Sequence, residues 1–447
     1  MSNLSFLEFP LEIHVTIFKY LNIRDLRNVM VTCKTLRDLI INENTIWRSI
    51  SRNRLIVHNN SQSKFSTLSW YNQVRVSNNW CQGYYRSQVS KCVIINHQIK
   101  YMPWIKYVNK MLLVSAGSQL RCYPLDKNGI PNCRNETWRL EVPKVQRNDV
   151  RTNDISRFVI KNNLIVCGNR DGCVAVYEID HAMQKPSILA HIRDCHNNGQ
   201  QEVTAVEVLN NNGQISIVTG SEYNKQLCLW NIPLSSIEEN ETKRKFTLSD
   251  GIGIKCLAMN NNNEARVAVG LNGNSKPILL DFTTGQLLMS ADNTKSRRAV
   301  VRDIGWRDNN TLLYVTHFGA VQLLDIRTNR LVFDSTDPFL SSFYCVKSDG
   351  HNAVVAGSAE FSRCVLYDAR QSATHVQMFF TQKKSSPVYS LEMSGSHLIA
   401  AVDRGVATLS FTVNPASMQC RDYSPAFLYG TPHGPNMGGT LRTISHH

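Results

Sequence analysis

The sequence predicts a mainly β chain: a seven-bladed β-propeller preceded by a small all-α domain and a helical linker. Three observations carry this. Apolar residues between positions 9 and 50 recur at helical spacing. Beyond residue 100 the pattern changes to short runs of Val, Ile and Leu separated by Asn, Gly, Asp and Ser, which is strand-and-turn punctuation. One strand–turn–strand unit then returns seven times. The boundaries that follow are a helical domain over 1–58, a basic helical linker over 59–88, the propeller over 89–412, and a Pro-rich tail over 413–447, extended or partly disordered.

A chain of 447 residues is too long for one small core and fits two or three units. With 42% hydrophobic, 9% aromatic and 19% charged residues, neither a wholly disordered nor a collagen-like chain is compatible with it. The formal net charge of +14 admits nucleic acid, a membrane surface or an acidic protein as partner. Its distribution narrows the choice. Residues 1–100 carry 13 basic and 5 acidic side chains, 101–200 carry 14 and 9, and 201–447 carry 22 and 21, so the excess belongs to the first two-fifths. The 13 cysteines are scattered with no C-x-x-C pair, which fits reduced thiols and gives no zinc-ligand spacing. No apolar run reaches membrane-spanning length, and Glu8, Pro10 and Glu12 interrupt the stretch a secretion signal would need. A soluble protein of the cytoplasm, the nucleus or both is expected, with no membrane partner.

In the head, Pro10 suits a first helical turn, and Leu11, Val15, Ile17, Phe18 and Leu21 follow at helical spacing. Asn22 or Asp25 can cap a second helix bearing Leu26, Val29, Met30, Cys33, Leu36 and Ile40. A third, capped by Asn42 or Asn44, carries Ile46, Trp47 and Ile50. Three short helices have too little interior to hide all these side chains, so apolar surface is left for another chain. The string Phe9-Pro10-Leu11-Glu12, Ile17-Phe18, Tyr20-Leu21, Asp25-Leu26, Val31, Cys33-Lys34, Leu36, Leu39 and Trp47 resembles the F-box pattern, with Phe9 where the family usually has Leu. The resemblance implies docking on the Skp-type adaptor of a cullin–RING ubiquitin ligase through Phe9, Pro10, Leu11, Ile17, Phe18, Leu21, Leu26, Val31, Cys33 and Trp47.

From Ser51 to Lys100 seven basic residues are interleaved with Phe65, Trp70, Tyr71, Trp80, Tyr84 and Tyr85, and no acid occurs. Cations with rings invite a nucleic-acid reading. The other reading is a packed connector, and Trp70, Arg75, Trp80 and Gly83 resemble the helical spacer that joins an F-box to a WD-repeat propeller.

The repeat closes on Tyr123, Tyr177, Trp230, Leu280, Leu324, Tyr367 and Ser410, at intervals of 54, 53, 50, 44, 43 and 43. Seven units of this size fit a propeller, which closes on itself and leaves only short edges. Closure needs a strand from outside the first repeat, and 89–95 is the expected one. The units resemble degenerate WD repeats. Only Leu229-Trp230-Asn231 approaches the closing Trp-Asp, and the Gly-His dipeptide is missing, so the buried Asp–His–Ser–Trp network of regular repeats is expected to be largely absent. Head, spacer and seven weak repeats are together similar to the dactylin group of the F-box/WD-repeat family.

Catalytic motifs are missing: there is no phosphate-binding loop, no G-x-S-x-G and no H-E-x-x-H, and the 13 histidines are dispersed. No enzyme activity, cofactor or metal is expected. In the family, a position near the start of each inner strand and one after the Gly-Ser turn face the binding surface. Carried over by repeat register, these are Ser156, Thr204, Lys255, Arg302, Tyr344 and Tyr389, then Arg170 and His317. Arg at such places grips acidic or phosphorylated segments in the family, and Tyr here makes a mixed polar and aromatic pocket an equal alternative. The expected function is that of a substrate-recognition subunit of an SCF-type ubiquitin ligase, partnered by the adaptor, through it cullin and RING subunits, and by target proteins marked for proteasomal degradation. Two alternatives stand beside it: a nucleic-acid or ribonucleoprotein scaffold using 44–100, and a propeller scaffold that presents no substrate.

Overall fold

The computed structural model describes residues 6–59, 68–91, 102–108, 110–147, 151–161, 163–180, 184–211, 214–233, 242–260, 266–281, 284–290, 299–403, 405–417 and 422–428. The head is built from α1 (Leu11–Lys19), α2 (Ile23–Thr32), α3 (Lys34–Asn42) and α4 (Asn44–Ser51). The second helix expected from the sequence is thus two. Cys33 is extended (φ −153°, ψ 161°) and its Sγ accepts the Leu36 N–H at 3.4 Å, which ends one helix and caps the next. Asn22 caps α2 by accepting the Asp25 N–H at 3.0 Å. The cap of α4 is neither Asn42 nor Asn44: the Glu43 carboxylate accepts the Thr45 N–H at 3.0 Å. Phe18, Leu26, Ile40, Ile46 and Trp47 fill the interior, and the Trp47 indole donates to the Ile40 carbonyl at 2.7 Å.

The spacer helix α5 (Trp70–Gln82) is capped by Ser69 and ends at Gly83, whose φ of 71° only glycine adopts freely. It seats the head on the ring. Trp80 is fully buried, stacks 3.6 Å from Phe411, and donates to the Gly395 carbonyl at 3.0 Å. Asn79 donates to the carbonyls of Phe411 and Val413 at 2.8 and 2.9 Å.

Seven four-stranded antiparallel sheets form the ring. In order, their innermost strands are Ile105–Val108, Ile155–Lys161, Ala205–Asn211, Gly253–Met259, Val301–Asp308, Phe343–Ser348 and Ser390–Met393. The seven closing residues found by period all lie on third strands. The last blade borrows its outer strand from before the first: Arg86–Ser90 pairs with Gly405–Ser410, Arg86 opposite Ser410 and Ser90 opposite Val406. That strand ends where the expected one begins, and residues 92–95 lie outside the described residues. The tail docks in part, with Ala426 fully buried and Phe427 against blade 6.

Among the described residues, part of the hydrogen-bond network of regular repeats is present in blade 3, the blade with Trp230, in keeping with a network expected to be largely absent. In blade 3, His196 Nε2 lies 3.0 Å from Thr219 Oγ1, which also accepts the Trp230 indole N–H at 3.1 Å. Here Cys195-His196 stands where the family has Gly-His. Blade 6 substitutes a fully buried ion pair, Asp337 with Arg363, joined by Ser358.

The junction between head and ring holds a titratable group. His58 N–H donates to Asp349 Oδ2 at 2.9 Å, its Nδ1 lies 3.0 Å from Gln73 Nε2, and its ring is 4.2 Å from that of His351. Burial, then His351, push the His58 pKa from 6.5 down to about 4. Because the folded value is the lower one, the contribution of neutral His58 is complete above about 6.5 and is lost as pH falls towards 4. His58→Gln is therefore expected to flatten the stability-against-pH curve across that window. An unchanged acid limb in denaturant titrations at several pH values would contradict this.

Candidate protein-binding surfaces

Each innermost strand begins beside the end of the second strand, as in Ile155 opposite Asn169, Val301 opposite Thr316 and Phe343 opposite Ser358. One rim of the ring, its mouth, therefore gathers the strand starts and the turns that carry Arg170 and His317. The head and spacer contact the other rim, His58 at Asp349 and Trp80 at Gly395, both in turns between first and second strands. The mouth and the attachment of the head thus lie on different rims of the ring.

At the mouth the structure brings four of the expected residues together. The Arg302 guanidinium donates to His317 Nδ1 at 3.0 Å and lies 5.3 Å from the Tyr344 ring. Tyr344 stacks on Tyr389 at 6.0 Å, and the Tyr389 hydroxyl donates to Asp403 Oδ1 at 2.7 Å. His317 also meets the Ser342 hydroxyl at 3.0 Å. Burial, then the Arg302 charge, hold the His317 pKa below 6.5, so it is a neutral acceptor at pH 7.

The other cations are already occupied. Arg170 pairs with Glu202 at 3.0 Å and Lys255 with Glu222 at 2.5 Å. Burial opposes ionisation of Glu222, yet Lys255 holds its pKa below the usual carboxylate value. Thr204 donates to the Ile254 carbonyl at 3.1 Å and Ser156 to the Gly168 carbonyl at 2.9 Å, so both serve the strands. Among the described residues no carboxylate lies within ion-pair distance of Arg302, although its charge reaches Glu222 and helps Lys255 hold that pKa down. The sequence reading missed Glu202, Glu222, Ser342 and Asp403. Repeat register could have found Glu222 and Asp403, which stand in the same turn as Arg170 and His317.

Below the mouth, ion pairs cross the axial channel. Arg157 of blade 2 bonds Asp303 of blade 5 and lies 4.2 Å from the Trp104 ring, while Lys347 and Lys106 meet Glu392 at 3.0 and 3.8 Å. Burial pushes Glu207 up to about 7, and Lys347, then burial, push Lys106 down to about 8.

The head presents a different chemistry. Along α1, His14, Val15 and Phe18 face inward, while Leu11, Ile13 and Ile17 are exposed, with Phe9 and Pro10 before them and Tyr20 after; Val31 of α2 is exposed too. Glu12, Thr16 and Lys19 take up the rest of the exposed side, so the apolar residues form a stripe beside a polar face, and an exposed apolar stripe of this kind suits a protein contact. Of the expected adaptor residues, Phe9, Pro10, Leu11, Ile17 and Val31 are on the surface, Leu21 and Cys33 are half-buried, and Phe18, Leu26 and Trp47 are inside. The buried three can shape the surface only through the helices they hold. Ile13 and Tyr20 were not anticipated, although their spacing with Ile17 marks the outer stripe.

The connector's rings are largely spent on packing: Trp80 and Tyr85 are buried against Phe379 and Phe411, and Trp47 packs on Tyr71. Phe65 lies outside the described residues. Among the described residues no group of His, Cys, Asp and Glu could hold a metal ion, and no helix is long and apolar enough to cross a membrane.

Residues 6–53 match the F-box-like family. Along 414 residues the chain is 26% identical to F-box/WD repeat-containing protein 4 of Mus musculus, covering 90% of this chain and 92% of that protein. The Homo sapiens protein of the same name gives the same values. Among solved structures, the computationally designed Ika8 protein overlays with a TM-score of 0.45 at 13% identity, covering 72% of this chain and 99% of its own. An F-box-like head, a Trp-bearing spacer and a seven-bladed ring thus occur together in a chain that is similar, along nine-tenths of its length, to F-box/WD repeat-containing proteins.

Proposed function

We propose that the protein is a substrate-recognition subunit of an SCF-type ubiquitin ligase. The observation that carries this is the pair of unlike surfaces on one chain: an apolar helical stripe on the head, which is attached at one rim of the ring, and a polar–aromatic mouth at the other rim. The stripe fits a Skp-type adaptor, which brings cullin and RING subunits, and the mouth fits a target protein with Arg302 as the anchor for an acidic group. The chain itself makes no bond; it converts a bimolecular encounter of target and ligase into a tethered one. This reading places the protein in the cytoplasm or nucleus, in keeping with the free thiols of every described cysteine.

The test is quantitative proteomics of ubiquitin-modified proteins in cells lacking the chain, then resupplied with it. A defined set of targets is expected to lose modification and regain it with the natural chain but not with Arg302→Ala plus Tyr344→Ala. If no protein changes, or if the double variant restores every one, the mouth does not select targets.

A further inference from the structure

The flank of blade 6 carries an aromatic notch filled by the chain's own C-terminal segment. Its walls are Phe339, from the loop entering the blade, Phe361, from the turn after the second strand, and Phe380, from the outer strand. The Phe427 ring lies 5.8, 5.0 and 5.7 Å from these three, and Tyr423 stacks on Phe380 at 5.2 Å.

The backbone around the notch is unusual. Leu340, Phe361 and Ser362 have left-handed backbone, with φ of 57°, 62° and 54°, a conformation that persists in such residues only where the surroundings enforce it. The floor is Arg363, fully buried on Asp337, with its guanidinium 4.2 Å from the Phe339 ring and 5.9 Å from that of Phe361. These are features of a built site, not of a surface that closes over whatever lies near it.

The occupant is equally well defined. Pro425 opens a single helical turn, Pro425–Leu428, and Ala426 is fully buried where a larger side chain would collide with its surroundings. Backbone hydrogen bonds of the segment close within it: Ser424 N–H to Asp422 Oδ1 at 2.9 Å, Ala426 N–H to the Tyr423 carbonyl at 2.9 Å, and Phe427 N–H to the Ser424 carbonyl at 3.0 Å. Its hold on the ring comes mainly through the aromatic faces, with the Tyr423 hydroxyl beside that of Tyr85 and Asp422 near Lys383, and Phe339 and Phe427 still expose 39% and 41% of their surface. A ligand with its own backbone satisfied and its affinity placed in two anchors is how a short helix binds a groove on another molecule. It differs from a strand built into a sheet, whose removal would strand backbone groups.

We infer that the notch is a second peptide-docking site, separate from the mouth, for a short turn of the form aromatic-x-Pro-small-aromatic. Tyr423–Phe427 is its resident ligand, and a partner protein presenting the same turn displaces it. The inference does not rest on the ligase reading.

The probe is a fluorescent synthetic peptide with the sequence of residues 420–430, titrated by anisotropy against the full chain and against the full-length Tyr423→Ala plus Phe427→Ala variant. The emptied variant is expected to bind at least about 10-fold more tightly than the natural chain, whose tethered tail competes at an effective concentration on the order of millimolar. Adding Phe361→Ala should abolish binding. Equal binding by both chains, or none by the emptied variant, overturns the inference. If the emptied variant no longer unfolds cooperatively, amide exchange of Ser424–Phe427 in the natural chain decides: excess peptide is expected to speed it, and unchanged exchange overturns the inference.

Discussion

Trp80→Ala is expected to cost about 3–5 kcal/mol and to loosen the head from the ring. The indole is fully enclosed by spacer and blades, lies flat on Phe411 and edge-on to Phe379, and satisfies the Gly395 carbonyl. Alanine leaves a cavity of indole size and an orphaned carbonyl at the same point. Trp80→Phe keeps the stack and loses the hydrogen bond, so it is expected to cost much less. Denaturant unfolding with limited proteolysis reads both effects: cleavage between head and ring should accelerate for the alanine variant first. A cost below about 1 kcal/mol would mean that Asn79 and Arg75, which reach the carbonyls of Phe411, Thr412 and Val413, carry the junction without it.

The second large effect separates surface from core within the head. Leu11→Asp with Ile17→Asp changes two exposed positions, where substitutions ordinarily move stability by no more than about 0.5 kcal/mol each. As anchors of an interface each is worth about 2 kcal/mol or more, so together they should weaken adaptor binding on the order of 1,000-fold. Phe18→Ala does the reverse. It removes a ring that is 1% exposed and is expected to cost the head about 3–5 kcal/mol, losing adaptor binding through unfolding. Calorimetric titration beside thermal unfolding of each variant distinguishes the two routes, and an Asp pair that binds normally would remove α1's outer stripe from the interface.

The ring was legible because its signal is a period. Each blade must bury a third strand, closed by Tyr, Trp or Leu in the first six, and Tyr123 to Ser410 mark that strand whether or not the Trp-Asp pair survives. Its closing strand was not legible, for the opposite reason. Arg86–Ser90 is a polar edge strand, mostly exposed, whose pairing is fixed by backbone bonds to Gly405–Ser410, whereas the apolar run beginning at Val89 looks more like a strand. The break at Cys33 was hidden because α2 and α3 pack into one core, so the apolar spacing runs through it. At the mouth, register found the cations and rings but not their carboxylates: Glu202 meets Arg170 from a neighbouring loop 32 residues away. Charge told the same story at lower resolution. An excess confined to the first 200 residues leaves a nearly neutral remainder. At the mouth, Arg170 and Lys255 are paired and Arg302 rests on His317 and Tyr344, so selection there falls to local groups and not to bulk charge.

The adaptor interface is the claim on which the rest of the functional account depends, and gel filtration of the purified full chain mixed with a purified Skp-type adaptor tests it most directly. The account predicts one co-eluting species of one copy each, lost with Leu11→Asp plus Ile17→Asp while the variant's thermal unfolding stays unchanged. A folded natural chain that elutes apart from the adaptor, at concentrations well above micromolar, would contradict it.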